Sequence, residues 1–239
     1  MHQRYNIHAL HGFLGRPEDW SMIQDHLGHH FQGYHLFNDT SMLTFTKWAE
    51  TFNQQVFSKN CLPNNILMGY SLGGRLALHA LLEKPEKWKA AVLVSTHPGL
   101  KSEQDKHLRI VSDEIWAGRF ENEAWEDLMK AWNAQGVFKN DSVKFQRKES
   151  AFDRKSLASA LRIWSLGFQQ ELTDEIASLE IPILWMVGEN DTKFLKIAQT
   201  LKFKHPQSKL CVVANAGHRL HFEQAEIFKQ NVIHFIKNL

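Results

Sequence analysis

The chain has 239 residues, 43% hydrophobic and 23% charged, with a formal net charge of +2. That is enough for one large globular domain, or for a core carrying a small insertion, and it supplies no basic stripe of the kind nucleic-acid binding needs. Two cysteines, Cys61 and Cys211, stand far apart in sequence, which argues against a disulfide framework and fits a reducing cytoplasm. The opening MHQRYNIHAL has no apolar h-region, and no stretch approaches eighteen apolar residues, so neither a signal peptide nor a membrane helix is expected. The fourteen histidines invite a metal reading. However, His29-His30 and His218-x-x-His221 lack the HExxH arrangement and have no carboxylate at ligand spacing, so no metal is expected.

Along the chain, short apolar runs alternate with helical patterns, the signature of a parallel sheet wrapped by helices. The spacing predicts strands at Tyr5–Leu10, Tyr34–Phe37, Ile66–Gly69, Ala90–Val94, Ile183–Val187 and Lys209–Val213. The fourth and fifth are continuously apolar, as strands covered on both faces are. After the third strand, Leu72, Leu76, Ala77 and Ala80 form one helical stripe. Ala225, Phe228, Val232, Phe235 and Ile236 form another near the end. From 101 to 178 the strand signal vanishes. Leu108, Val111 and Ile115 make one helical face there, Trp125, Leu128, Met129 and Trp132 a second, and Leu157, Leu161 and Trp164 a third, with a polar loop over 140–148. The expected organisation is a core of 1–100 and 179–239 with a helical lid, 101–178, over the carboxyl ends of the strands.

Gly69-Tyr70-Ser71-Leu72-Gly73-Gly74 follows an apolar strand and opens a helix, the context in which G-x-S-x-G marks a nucleophile elbow. Glycines two residues either side remove the β-carbons that would clash in so tight a turn. The helix starting at Leu72 points free N–H groups at the site. His11-Gly12-Phe13 closes the first strand where this fold supplies a second oxyanion donor, so the N–H groups of Phe13 and Leu72 are the candidate oxyanion hole. His11 itself reads as a structural hydrogen-bonder. Asp191 follows the fifth strand and His218 the sixth. Serine, acid and histidine thus occur in the order of the α/β-hydrolase fold, each after a strand, and Ser71, Asp191 and His218 are the expected nucleophile, orienting acid and base. Glu189 and His221 read as loop or surface residues.

The chain resembles the 2-succinyl-6-hydroxy-2,4-cyclohexadiene-1-carboxylate synthases of menaquinone biosynthesis, lyases built on this fold. The resemblance rests on His11-Gly12-Phe13-Leu14-Gly15, the elbow with Arg75, Thr96-His97-Pro98-Gly99-Leu100, Trp116-Ala117-Gly118-Arg119-Phe120, Trp132 with Val137-Phe138, Gly188–Phe194 and Ala216-Gly217-His218. It implies a cofactor-free enzyme that expels pyruvate from a polyanionic cyclohexene carboxylate, with the serine acting as base and the oxyanion hole holding an enolate. It further implies Arg75 and Arg109 as carboxylate-binding arginines, Trp132 as the lid tryptophan and Tyr70 as the elbow tyrosine. Three departures stand out. The third lid arginine is met by Arg147 only through a two-residue insertion, with Glu149 in the ungapped position. The loop after the second strand reads Phe37-Asn38-Asp39-Thr40-Ser41, and the N-terminus is short. A carboxylesterase or thioesterase using Ser71 covalently is the alternative, since Trp116, Trp125, Trp132 and Trp164 could line an acyl pocket. The expected partner is a small carboxylate or ester, with the chain a monomer or small homo-oligomer.

Overall fold

The computed structural model describes residues 4–24, 30–37, 43–59 and 64–239. His29, Cys61, the first three residues and most of the departing loop, from Asn38 on, lie outside them. Six strands, β1 (Asn6–Leu10), β2 (His30–Tyr34), β3 (Asn65–Tyr70), β4 (Trp88–Val94), β5 (Ile183–Gly188) and β6 (Lys209–Val213), form one sheet in the order β2-β1-β3-β4-β5-β6. Every pairing is parallel.

The continuous apolar strands are explained by cover on both faces. Along β4, Ala90, Val92 and Val94 enter one core cluster with Phe228, Val232 and Phe235 of α10 (Ala225–Lys237). Ala91 and Leu93 enter the other, with Leu76, Ala77 and Ala80 of α3 (Leu72–Glu83) and Phe52 of α2 (Phe45–Lys59). Alternation along a strand divides its side chains between two apolar layers.

One strand departs from its expected span. Pairing of β1 with β2 runs from Asn6↔His30 to Leu10↔Tyr34, four residues earlier than Tyr34–Phe37 at its start. This edge strand is only half buried, so its sequence lacks the apolar run by which the inner strands are recognised. The apolar Leu36 and Phe37 are instead buried beyond its end, where the Leu36 N–H donates to His11 Nε2 at 3.2 Å.

Between β4 and β5 the chain forms α4 (Glu103–Asn122), α5 (Trp125–Asn133), α6 (Arg154–Ile163) and α7 (Thr173–Ser178). Ser102 caps α4 through the Asp105 N–H, and Asp153 caps α6 through the Ser156 N–H, each supplying an acceptor to an orphan donor of the first turn. Leu128, Met129, Leu157, Leu161 and Trp164 are buried as their periodicity predicts. Leu108, Val111 and Ile115 are not: all three face outward. A helical period specifies that residues share a face, and only tertiary contacts decide whether that face is covered. Among the described residues, no helix is long and apolar enough to cross a membrane.

Candidate active site

The strand order reverses at β1, with β2 on one side and β3 on the other, so the loops leaving β1 and β3 diverge and open a crevice between them. Both Phe13 and Ser71 stand there. Ser71 adopts φ 51°, ψ −110°, a left-handed conformation that an L-residue keeps only when its surroundings enforce it. The enforcement is visible. The Ser71 N–H donates to the Val94 carbonyl at 2.9 Å. A β-carbon on Gly73 would lie 2.3 Å from the Leu10 carbonyl oxygen, and one on Gly69 would lie 2.5 Å from that of Gly73.

The loops after β5 and β6 are stitched together by their backbones. Glu189 N–H donates to the Val213 carbonyl at 2.9 Å and Asn190 N–H to that of Ala216 at 2.8 Å. This brings Asp191 (4% exposed) and His218 (2%) together. Asp191 Oδ2 lies 2.6 Å from His218 Nδ1, and His218 Nε2 lies 3.1 Å from Ser71 Oγ. The histidine backbone is held at both ends. Its N–H donates to Asp141 Oδ1 at 2.7 Å, and its carbonyl accepts from Ser95 Oγ at 2.9 Å.

A cavity of about 280 Å³ opens above Ser71 and His218. Phe13, Tyr70, Leu72 and Arg75 border it from the core, and Arg109, Asp113, Trp116 and Trp132 from the helical block. Leu72 is the first residue of α3, so its N–H has no intrahelical acceptor. Trp132 packs on Phe13 (ring centroids 4.8 Å apart) and edge-on to Trp116 (5.0 Å).

Arg75 is buried one helical turn after Ser71. Its Nη1 donates to Gln169 Oε1 at 3.3 Å, and its guanidinium lies 5.5 Å from the Phe45 ring centroid. Among the described residues it forms no ion pair within 4.0 Å. Burial first, then the positive charge of Arg109, pushes it down to about 9, against the pull of Asp113. It remains a cation at neutral pH, and no carboxylate of the described residues is seated on it. Arg109 pairs with Asp113 (2.8 Å) at the opposite wall.

Arg147 does not border this cavity. It is bound to Asp19 at 2.7 Å and stacked over Phe145, so the expected third arginine is engaged elsewhere. The residue found instead is Arg219, directly after the histidine. It lines the cavity, is 1% exposed, and lies between the Phe138 and Phe145 rings at 3.9 and 4.4 Å from their centroids. Its Nη1 donates to the Val143 carbonyl at 3.0 Å, and Asp141 Oδ2 stands 3.6 Å from its Nε. Lys193 also borders the cavity, its ammonium pushed down by desolvation and by Arg109. Neither Asp141 nor Arg219 was singled out by the sequence, because each stands in a segment without periodicity.

His221 corrects a second expectation. It is buried, not at the surface, with its ring 4.2 Å from that of Tyr70 and 5.2 Å from that of Trp20. Glu189 is exposed and accepts from the Asn215 N–H at 3.1 Å. His11 bonds the Gly12 carbonyl through Nδ1 (2.8 Å) and accepts at Nε2, fixing the turn beside Phe13. Among the described residues no three His, Cys, Asp or Glu side chains gather as a metal-ligand set.

A parallel sheet with a strained serine at a strand-to-helix turn, joined by hydrogen bonds to a histidine and an aspartate on later loops, defines an α/β-hydrolase. The chain matches the family described as serine aminopeptidase, S33, over residues 8–225. The fold is shared with a solved structure described as MenH from S. aureus, at a TM-score of 0.88 and 22% identity, covering 99% of this chain and 95% of that one. Within the superfamily, the chain belongs to the 2-succinyl-6-hydroxy-2,4-cyclohexadiene-1-carboxylate synthase family. It is 30% identical to the Pectobacterium atrosepticum protein of that name over 96% of this chain and 93% of that one. It is 29% identical to the Haemophilus influenzae protein named as a putative member, over 95% of each.

Proposed function

We propose that this protein eliminates pyruvate from a polyanionic cyclohexene carboxylate to form 2-succinyl-6-hydroxy-2,4-cyclohexadiene-1-carboxylate in menaquinone biosynthesis, without a cofactor. The observation that carries the reading is Arg75, a buried guanidinium on the cavity wall whose hydrogen-bond partner among the described residues is the neutral Gln169. Among the described residues this buried cation has no counter-ion, which is costly, and a ligand carboxylate seated on its planar fork offsets that cost. Arg109, Lys193 and Arg219 border the same cavity, giving the further carboxylates of such a substrate cationic partners.

In this reading Ser71 and His218 act as a proton relay. His218 Nε2, 3.1 Å from Ser71 Oγ, takes the hydroxyl proton as the serine oxygen removes the ring proton next to the succinyl carbonyl. Electron density from that C–H bond moves onto the carbonyl oxygen, and the N–H groups of Phe13 and Leu72 stabilise the enolate. The enolate collapses through the ring to form the second double bond as the ring C–O bond to the enolpyruvyl group breaks. The proton held by the Ser71–His218 pair passes to the departing group, which leaves as pyruvate. Asp191 keeps His218 in the tautomer that presents Nε2 to the serine and stabilises the transient imidazolium. Trp132, Tyr70 and the apolar wall exclude water, which strengthens each of these interactions.

We further propose that residues 101–178 act as a lid, since they supply one wall of the cavity, and that the enzyme works in the cytoplasm. The covalent esterase alternative draws on the same serine geometry and on Trp116, Trp132 and Trp164, all of which border the cavity. The deciding experiment measures pyruvate release from the enolpyruvyl substrate beside hydrolysis of neutral esters, with Ser71→Ala as control. Rapid serine-dependent release of pyruvate is expected; efficient ester hydrolysis without it would overturn the lyase reading.

A further inference from the structure

Gln169 is 1% exposed, and both ends of its amide are engaged. Its Nε2 donates to the His97 carbonyl at 3.0 Å, and its Oε1 accepts from Arg75 Nη1 at 3.3 Å. Turned over, the amide would set its NH2 against the donors of the guanidinium and its oxygen against a carbonyl. Only one orientation satisfies both neighbours.

The anchor is itself fixed. The Gly99 N–H donates to His97 Nδ1 at 3.0 Å, and the Leu172 N–H donates to the Pro98 carbonyl at 2.9 Å. Gly99 adopts φ 129°, and a β-carbon there would lie 2.3 Å from the Gln170 carbonyl oxygen. The loop leaving β4 and the stretch before α7 are the two ends of the helical block, and they lie back to back. Gln169 stands at their junction, against Arg75.

We propose that Gln169 is the positioning and selectivity residue for Arg75: it directs the guanidinium while, as a neutral acceptor, leaving its charge to an anionic substrate. The inference rests on the reading of Arg75 as a carboxylate-binding residue. Arg109 supplies the contrast on the same cavity, since its guanidinium is paired with the Asp113 carboxylate at 2.8 Å. That carboxylate orients Arg109 and also offsets its charge. The amide of Gln169 orients without offsetting. In a site shielded from water the difference is large, because a counter-charge at hydrogen-bond distance opposes an entering anion with little screening. A glutamate side chain in this place would compete with the substrate for the Arg75 fork, and its second oxygen would face the His97 carbonyl.

The test compares Gln169→Glu with Gln169→Met, each in the wild-type and Arg75→Ala backgrounds of the full chain. The readouts are isothermal titration with trans-cyclohexane-1,2-dicarboxylate, as a probe dianion, and the KM and kcat of pyruvate release. Gln169→Glu should weaken dicarboxylate binding by about tenfold or more, the scale of a charge-assisted hydrogen bond, and should raise KM far more than it lowers kcat. Gln169→Met removes both hydrogen bonds but adds no charge, so it should weaken binding less than Gln169→Glu. In the Arg75→Ala background neither substitution should weaken binding much further, because the two side chains act as one. A purely structural amide would give the reverse order, with Gln169→Met the worse variant, and losses that add to that of Arg75→Ala. Either result would overturn the proposal, as would a wild type that binds no dicarboxylate. Should Gln169→Glu fail to fold, the coupling of Gln169→Met with Arg75→Ala decides in the same way. Binding that follows the expected pattern in a protein releasing no pyruvate would remove the lyase reading and leave the role of Gln169 standing.

Discussion

Asp141 accepts the main-chain N–H of His218 at 2.7 Å while its other oxygen faces the guanidinium of Arg219 at 3.6 Å. A residue from the segment joining α5 to α6 thereby sets the position of the imidazole. Removing its carboxylate leaves a buried N–H without an acceptor and a buried arginine without a counter-charge. Asp141→Ala is expected to cost about 3 kcal/mol of stability, the scale for breaking a buried pair, and to lower kcat. Asp141→Asn retains an acceptor for the His218 N–H and should lose less kcat. Urea unfolding and steady-state kinetics of the two variants check this; equal kcat losses would remove the positioning role.

Ser71→Ala and His218→Ala each delete one end of the 3.1 Å contact proposed to move the proton. A loss of about 10⁴-fold in kcat is expected for either, and the double variant should be hardly worse, because members of one relay act as a unit. Near-full turnover in either single variant would show that the proton travels by another route.

Arg75→Ala and Arg219→Met separate charge recognition from the relay. Loss of a charge-assisted hydrogen bond to a carboxylate corresponds to about 2 kcal/mol, roughly thirtyfold in kcat/KM. That loss should appear with the polyanionic substrate and be small with a neutral p-nitrophenyl ester. Arg75→Lys should recover only part of it, since an ammonium cannot make the bidentate contact. Parallel losses on both substrates would point to a role in packing alone.

Acid should destabilise the fold well before its carboxylates titrate. Burial pushes His11 and His97 down to about 3 and His8 and His79 to about 4. Below the ordinary value of 6.5 the unfolded chain binds protons that the folded chain does not, so stability falls as pH drops from 6.5 towards 4. Asp19 and Asp141, pushed up by desolvation, act in the opposite sense, but they are two against five, since burial pushes His221 down as well. The urea midpoint should therefore decline steadily between pH 6.5 and 4.5; a flat profile over that window would contradict the buried neutral histidines.

The parts of the site that sequence reveals are those tied to a strand end. Ser71, Asp191 and His218 each follow an apolar run, and Gly69, Gly73 and Gly74 stand where a β-carbon would collide, so pattern and sterics coincide. Arg219 could not be recognised in this way. Its burial depends on Phe138 and Phe145, more than seventy residues distant, and in sequence it is indistinguishable from a surface arginine. The same limit applies to Arg147, whose partner Asp19 lies 128 residues earlier in the chain. Leu108, Val111 and Ile115 failed for the complementary reason: their period is real, but nothing in the described residues covers it.

Phe13 follows β1 and Leu72 follows β3, which are hydrogen-bonded neighbours. The two amides of the proposed oxyanion hole are thus carried on strands held at the ~4.8 Å spacing of a sheet. A negatively charged oxygen placed between them meets a receptor as stiff as the sheet, whatever the segment above is doing. New substrates can thus be accommodated by redrawing the cover while the charge-bearing floor remains fixed.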